Sequence, residues 1–254
     1  MIGQFFRRRP LAPAPEGSVP AGQRVYAIGD IHGRLDLLDT LLRAIEADDA
    51  RRGPAQSRII FLGDLIDRGP HSAQVVARAM EVQAGPWNCQ FLLGNHEEVF
   101  LQALAGDLKA LTFFVRIGGR ETILSYGVTE DEYRNSDYPE LLELLTRRVP
   151  ASHIRFLSSF EDLVIVGDFA FVHAGVKPGQ ALVDQRASDL RWIRREFLDH
   201  TNGFEKIIVH GHTITEEVEV RQHRIGLDTG AYSSGKLTAM GFEANERWIL
   251  DTAG

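Results

Sequence analysis

Five short polar stretches carry side chains able to hold a metal ion or move a proton. They are Gly29-Asp30-Ile31-His32-Gly33, Gly63-Asp64-Leu65-Ile66-Asp67-Arg68-Gly69, Gly94-Asn95-His96-Glu97, His173-Ala174-Gly175 and Gly211-His212-Thr213. Each follows an apolar run, as Ile59-Ile60-Phe61-Leu62 precedes Gly63. Such a run reads as a buried strand, and the polar turn marks its end. The candidate ligands are Asp30, His32, Asp64, Asn95, His173 and His212, all oxygen or imidazole donors with no thiolate. That chemistry suits Mn, Fe or Zn; it suits neither a thiolate zinc site nor an all-oxygen calcium loop. The set exceeds the needs of one tetrahedral ion and serves two if a carboxylate bridges. Asp64, central among the turns, is the expected bridge.

Two divalent ions about 3.5–4 Å apart clamp the attacking and leaving oxygens of a phosphoryl displacement. Set against two aspartates and a hydroxide they leave a net positive charge, which attracts a phosphate ester. The expected nucleophile is a hydroxide activated by the metals, with no covalent enzyme intermediate. His96 is expected to protonate the leaving group, with Asp67 holding its tautomer and raising its pKa. Arg68 offers a planar fork for phosphoryl oxygens.

The elements that must position these groups alternate. Val25–Ile28, Arg58–Leu62 and Cys89–Leu93 read as strands. A helical pattern with Leu35, Leu38, Leu41, Leu42 and Ile45 on one face follows the first, and another over 72–83 follows the second. Asp30, Asp64 and Asn95 stand 34 and 31 residues apart, the length of a βαβ unit, whose crossovers bring the polar turns to one sheet edge. Residues 131–148, charged and Leu-rich, read as an amphipathic helical insertion over the site. After Pro150 come Leu163–Val166 and Phe169–Val172 about a Gly167-Asp168 turn, then 206–209, 224–227, 237–242 and 248–250, which read together as a mostly antiparallel second sheet. The expected class is α/β, two stacked mixed β-sheets flanked by helices. Residues 1–22, Pro- and Ala-rich after Arg7-Arg8-Arg9, read as a flexible tail, and 23–254 as one domain.

At 254 residues the chain can bury a sizeable core, and its formal net charge of −7 gives no basic footprint for nucleic acid. The lone Cys89 excludes an internal disulfide framework and fits a reducing compartment. No apolar run approaches a membrane span, and no apolar stretch of a signal peptide follows the N-terminal arginines. A soluble, cytoplasmic protein is expected. His210, two residues before His212 on a strand, should face away from the site. His71 reads as a helix start, His153, His200 and His223 as surface residues, and Arg191 and Arg195 as solvated.

The five motifs together, in this order, resemble the signature of the calcineurin-like metallophosphoesterases. The likeness runs from about Val25 to Phe242 and is nearest to the PPP-type serine/threonine protein phosphatases of the bacterial and bacteriophage lambda branch. The resemblance implies that Asp30, His32 and Asp64 bind a first metal and that Asp64, Asn95, His173 and His212 bind a second. It implies His96 with Asp67 as general acid pair, and Arg68 as a phosphate ligand. Trp192-Ile193-Arg194 is similar to a second phosphate-arginine motif, which assigns Arg194. Leu227-Asp228-Thr229-Gly230 resembles the closing strand and receives no role. The implied cofactors are two divalent ions, Mn foremost, with Fe or Zn as alternatives.

The leading expectation is hydrolysis of phosphoserine or phosphothreonine in a protein, or of a small phosphoester. The alternative is a hydrolase of dinucleoside polyphosphates, of the symmetrical diadenosine tetraphosphatase kind, or of capped RNA ends. Nucleic acid is expected only as such a capped or nucleotide substrate, and no membrane partner is expected. Three features favour the first: Glu97, where the tetraphosphatases are associated with Asp; Asp67 kept before Arg68; and Trp192-Ile193-Arg194-Arg195-Glu196-Phe197 in place of their Thr-Arg-Met-Arg-Phe segment.

Overall fold

A computed structural model describes residues 16–253. The chain opens with β1 (Gln23–Ile28), α1 (Leu35–Arg52), β2 (Gln56–Phe61), α2 (Ser72–Ala84) and β3 (Asn88–Phe91). A helical region follows: α3 (Asn95–Leu104), α4 (Leu108–Phe114), a π turn over Val115–Gly119, α5 (Arg120–Ser125), α6 (Glu130–Asn135), α7 (Tyr138–Arg148) and α8 (Ala151–Leu157). Next come β4 (Leu163–Val166), β5 (Phe169–Val172), α9 (Ala187–Trp192), α10 (Arg195–Leu198), β6 (Ile207–His210), β7 (Glu219–Val220) and β8 (Arg224–Gly226). The chain closes with α11 (Ala231–Ser234), β9 (Thr238–Glu243) and β10 (Glu246–Asp251).

The strands form two five-stranded sheets, ordered β10-β9-β1-β2-β3 and β4-β5-β6-β8-β7. Period-two alternation explains how they stack. Val25, Ala27, Ile60 and Leu62 face Phe169, Phe171, Val209 and Ile225 in the core between the sheets. Their neighbours Tyr26, Ile28, Ile59 and Phe61 point the other way, onto Leu38, Leu41, Ile45 and Val75 of α1 and α2. On the far face of the second sheet, Ala170, Val172 and Ile208 pack with Leu190, Ile193 and Phe197. Each large apolar side chain buried this way stabilises the fold by roughly 1.5–3 kcal/mol.

The α/β class with two mixed sheets is as expected, but the second sheet is not mostly antiparallel. β5, β6 and β8 run parallel, and only the outer pairs β4–β5 and β7–β8 are antiparallel. The connection from β5 to β6 carries α9 and α10 and so has the length a parallel crossover needs. β9 and β10 belong to the first sheet, with β9 antiparallel to β1. The insertion also differs: α7 packs on α3 and α4 through Leu141 and Leu145, and the helical region reaches the site through residues 118–122 instead.

Part of the segment expected to be a tail is packed. Val19 is buried between the sheets and its N–H donates to the Ala244 carbonyl at 2.9 Å, while Ser18 bonds Asp168. The Arg7–Arg9 run lies outside the described residues. Among the described residues no helix is long and apolar enough to cross a membrane.

Candidate active site

Parallel strands in both sheets end on one side of the molecule, where open α/β sheets place their ligands. Asp30 follows β1, Asp64 follows β2, Asn95 opens α3 after β3, His173 follows β5 and His212 follows β6. The expected ligands converge there and all are buried. The main-chain N–H of His212 donates to both oxygens of Asp30, at 3.1 and 3.0 Å, joining the two sheets across the site.

Asp64 is the hub. Its Oδ2 lies 3.6 Å from Nε2 of His32, 3.5 Å from Nε2 of His173 and 3.8 Å from Nε2 of His96. Nδ1 of His32 donates to the Ile66 carbonyl at 2.7 Å, and Nδ1 of His173 to that of Leu62 at 2.7 Å. With the ring proton on Nδ1, each Nε2 presents a bare lone pair to a carboxylate oxygen. Nε2 of His212 is likewise buried, with no hydrogen-bond partner. Lone pairs facing a carboxylate with no proton between them fit a cation. Two ligand atoms each about 2.1 Å from one ion, at a tetrahedral angle, stand about 3.4 Å apart. A ligand histidine that donates its other N–H to a main-chain carbonyl is the usual support for a metal. Two groups could hold an ion, His32 with Asp64 and His96, and Asp64 with His173 and His212; Asp64 is common to both. Asn95 joins the second through its Oδ1, 3.0 Å from Nε2 of His173.

Electrostatics match this geometry. Burial, helped by the neighbouring His96, pushes the His32 pKa down to about 3, so its ring is neutral and free to ligate. Burial also lowers His173 and His212, with Arg194 adding to the effect. For Asp64, burial alone would favour the acid, but the surrounding imidazoles outweigh it and hold the carboxyl below its usual range. A divalent ion held here would supply Lewis-acid charge to a phosphoryl group and would lower the pKa of a water bound to it.

Beside the hub, Nδ1 of His96 lies 2.6 Å from Oδ2 of Asp67, and Oδ1 of Asp67 accepts the Thr122 hydroxyl at 2.6 Å. Arg68 Nη2 donates to Nε2 of His96 at 3.1 Å. Arg194 is exposed at the start of α10, and its charge reaches His173 and His212. The turns are held under strain. Among the described residues, His32, Asp64, Asp67, Arg68 and His212 take positive φ, and the only other non-glycine residue to do so is Ala244, between β9 and β10. Such outliers persist where the surroundings over-determine them, and they cluster at functional sites. Two glycines permit the close approach: a Cβ on Gly94 would lie 2.1 Å from Oδ1 of Asp64, and one on Gly211 2.0 Å from Oδ1 of Asp30.

Several residues depart from their sequence reading. Arg191 is not simply solvated: it pairs with Glu98 at 2.7 Å and with Asp162 at 2.6 Å. His153 is half-buried, with Nδ1 3.0 Å from the Tyr126 hydroxyl. His210 faces away from the site as expected, edge-on to Phe197. His71 immediately precedes α2, and Cys89 is half-buried, its thiol pushed up to about 11. Asp228, given no role from sequence, follows β8 and lies beside Asp30 in the site. Its carboxyl is pushed up to about 6 by burial, and Oδ2 has no hydrogen-bond partner. An acid after an apolar strand and within two residues of a glycine was the signal for it, as at Asp64. Glu97 was passed over as well. Its Oε2 accepts the N–H groups of Asp64 and Gly94, and its Oε1 those of Leu65 and Ile66.

An asymmetrical bis(5'-nucleosyl)-tetraphosphatase PrpE from Oceanobacillus iheyensis is 27% identical over 244 residues, spanning 88% of this chain and 90% of the relative. The corresponding protein from Anoxybacillus flavithermus is 26% identical over 245 residues, with 86% and 90% covered. The crystal structure of a putative diadenosine tetraphosphatase superposes with a TM-score of 0.63 at 20% identity, over 95% of this chain and 100% of that one. A family model described as "Calcineurin-like phosphoesterase" matches residues 23–250, and the chain belongs to that family.

Proposed function

We propose that this protein hydrolyses dinucleoside polyphosphates with two divalent metal ions, manganese foremost. Asp30, His32 and Asp64 hold one ion, and Asp64, Asn95, His173 and His212 hold the other. Arg68 and Arg194 bind phosphoryl oxygens, and His96, oriented by Asp67, carries the proton to the leaving group. The phosphoester chemistry rests on one observation: the Asp64 carboxylate faces the bare imidazole nitrogens of His32 and His173 at 3.6 and 3.5 Å, at the ends of strands from both sheets. The substrate class rests on relatives named as tetraphosphatases that span nearly the whole chain. Their names support the dinucleotide reading over phosphoserine or phosphothreonine, which sequence alone favoured. A net charge of −7 makes a small anionic substrate one that the metals, Arg68 and Arg194 must draw in locally.

The second reading, a protein phosphatase, keeps the sequence features that favoured it, among them Gly94-Asn95-His96-Glu97 in place of a stretch ending in Asp. The deciding experiment strips the protein with chelator, restores Mn²⁺, and compares initial rates on diadenosine tetraphosphate and a phosphothreonine peptide. Faster cleavage of the dinucleotide is expected. Products of AMP and ATP mark asymmetrical cleavage, and two ADP mark the symmetrical kind. Faster release of phosphate from the peptide overturns the proposed substrate.

A further inference from the structure

Arg68 enters the site from a turn that bends twice through positive φ, 74° at Asp67 and 66° at Arg68. A long side chain leaving such a turn, half-buried, has many rotamers to lose before it can hold a phosphate. Three contacts restrict it. Its main-chain N–H donates to the Gly118 carbonyl at 3.0 Å, and its Nη2 donates to Nε2 of His96 at 3.1 Å. Its guanidinium carbon lies over the ring of Tyr232, 4.9 Å from the centroid. Gly118, in the π turn with φ 117°, admits the stem of the side chain: a Cβ there would stand 2.7 Å from Cγ of Arg68.

Tyr232 is itself fixed. Its ring meets His32 edge-on, with centroids 5.5 Å apart at 85°. It stands on α11, whose Ala231 carbonyl accepts Nη1 of Arg34 at 3.0 Å, and the Gly230 N–H just before it donates to Asp228 at 2.9 Å. The aromatic face is thus anchored to the loop that carries His32, while the cation above it comes from the loop after β2. We propose that Tyr232 is a positioning residue for Arg68: its ring face and the bare Cα of Gly118 form a cage that presents the guanidinium to a substrate phosphoryl group. This rests on the reading of Arg68 as a phosphate ligand. Neither Tyr232 nor Gly118 belongs to the motifs that carry the metal-binding chemistry.

A ring that acts through Arg68 must lose its effect when Arg68 is gone; a ring that merely fills space against His32 must not. The test is calorimetric titration of inorganic phosphate into the Mn²⁺-loaded full chain, for wild type, Tyr232→Leu, Arg68→Ala and the double variant. Loss of the cation–π contact should weaken phosphate binding about threefold to tenfold in Tyr232→Leu. Tyr232→Phe, which keeps the ring face, should stay within about twofold of wild type. In the Arg68→Ala background, Tyr232→Leu should add nothing. An unchanged affinity in Tyr232→Leu, or the same loss in both backgrounds, overturns the proposal. If Arg68→Ala binds phosphate as wild type does, the proposal falls together with the phosphate role of Arg68. Failure of wild type to cleave diadenosine tetraphosphate strikes only the substrate, because the phosphate cycle reads the cage without it.

Discussion

Nδ1 of His96 and Oδ2 of Asp67 stand 2.6 Å apart with both side chains buried, and the other oxygen of that carboxylate is taken by Thr122. The contact puts the ring proton on Nδ1 and turns Nε2 toward Arg68 and Asp64. A proton added at Nε2 is then aimed into the site. His96→Asn should lower kcat about 10²–10⁴-fold on esters with poor leaving groups and much less on p-nitrophenyl phosphate, whose leaving group needs no acid. Metal content, read by elemental analysis, should be unchanged. Because Nε2 of His96 is also within reach of Asp64, a parallel fall in bound metal would make His96 a ligand instead.

The same pair sets a pH dependence. Burial by itself would lower the His96 pKa, but the Asp64 and Asp67 carboxylates outweigh it and raise the value above that of a free imidazole. A general acid works in its protonated form, so turnover on a poor leaving group should hold on the low side and fall as pH rises through the raised pKa. Asp67→Asn removes one of the raising charges and should move that alkaline limb to lower pH. A limb that stays in place would detach it from His96.

The Asp64 carboxylate is the one group common to both candidate metal clusters. Asp64→Asn keeps the shape, removes the charge and places an amide against imidazole nitrogens. Both ions should weaken together, giving less than one tightly bound Mn²⁺ per chain by titration. Retention of two tightly bound ions would end the bridging assignment.

The candidate ligands stood out in the sequence because residue type and strand-end position mark them: an apolar run, then a donor within two residues of a glycine. The same pattern stood at Leu227-Asp228-Thr229-Gly230, yet Asp228 stayed unassigned. Contacts across long separations left no local trace. Thr122 reaches Asp67 over 55 residues, and the Arg68–Tyr232 stack joins loops from opposite ends of the domain. Backbone strain was equally hidden, since nothing in their residue types marks His32 or His212 for positive φ. β9 is buried on both faces, and an apolar run of that kind names no partner strand. β9 and β10 were therefore read into the wrong sheet.

Glu97 closes the turn after β2 with four main-chain N–H donors, at 2.9 Å from Asp64, 2.8 Å from Leu65, 3.2 Å from Ile66 and 3.2 Å from Gly94. Glu97→Gln replaces one acceptor oxygen by an NH₂ that faces N–H groups in a buried place. Each N–H left unsatisfied costs about 1–3 kcal/mol. For a chain of this size a loss of about 2–4 kcal/mol lowers Tm by roughly 5–15 °C. Differential scanning calorimetry of the metal-free protein reads this apart from catalysis, and a Tm within a degree of wild type would show that water or the new amide satisfies the turn.

Arg194 and Arg191 stand two helical ends apart in environment though three residues apart in sequence. Arg191 is tied to Glu98 and Asp162, and the Trp192 indole N–H donates to the same Glu98, so this arginine braces α9 against α3. Arg194 is exposed, and its charge is felt by His173 and His212. Among the described residues no acidic side chain pairs with it, which leaves the cation available to a phosphate. Arg194→Ala should therefore raise KM for a phosphate ester about tenfold with kcat changed far less and Tm unchanged, the loss of one charge-assisted hydrogen bond. Arg191→Ala should do the reverse, lowering Tm while KM moves little. If Arg194→Ala leaves KM as it was, the second phosphate contact passes to Arg195, the next exposed cation along the chain.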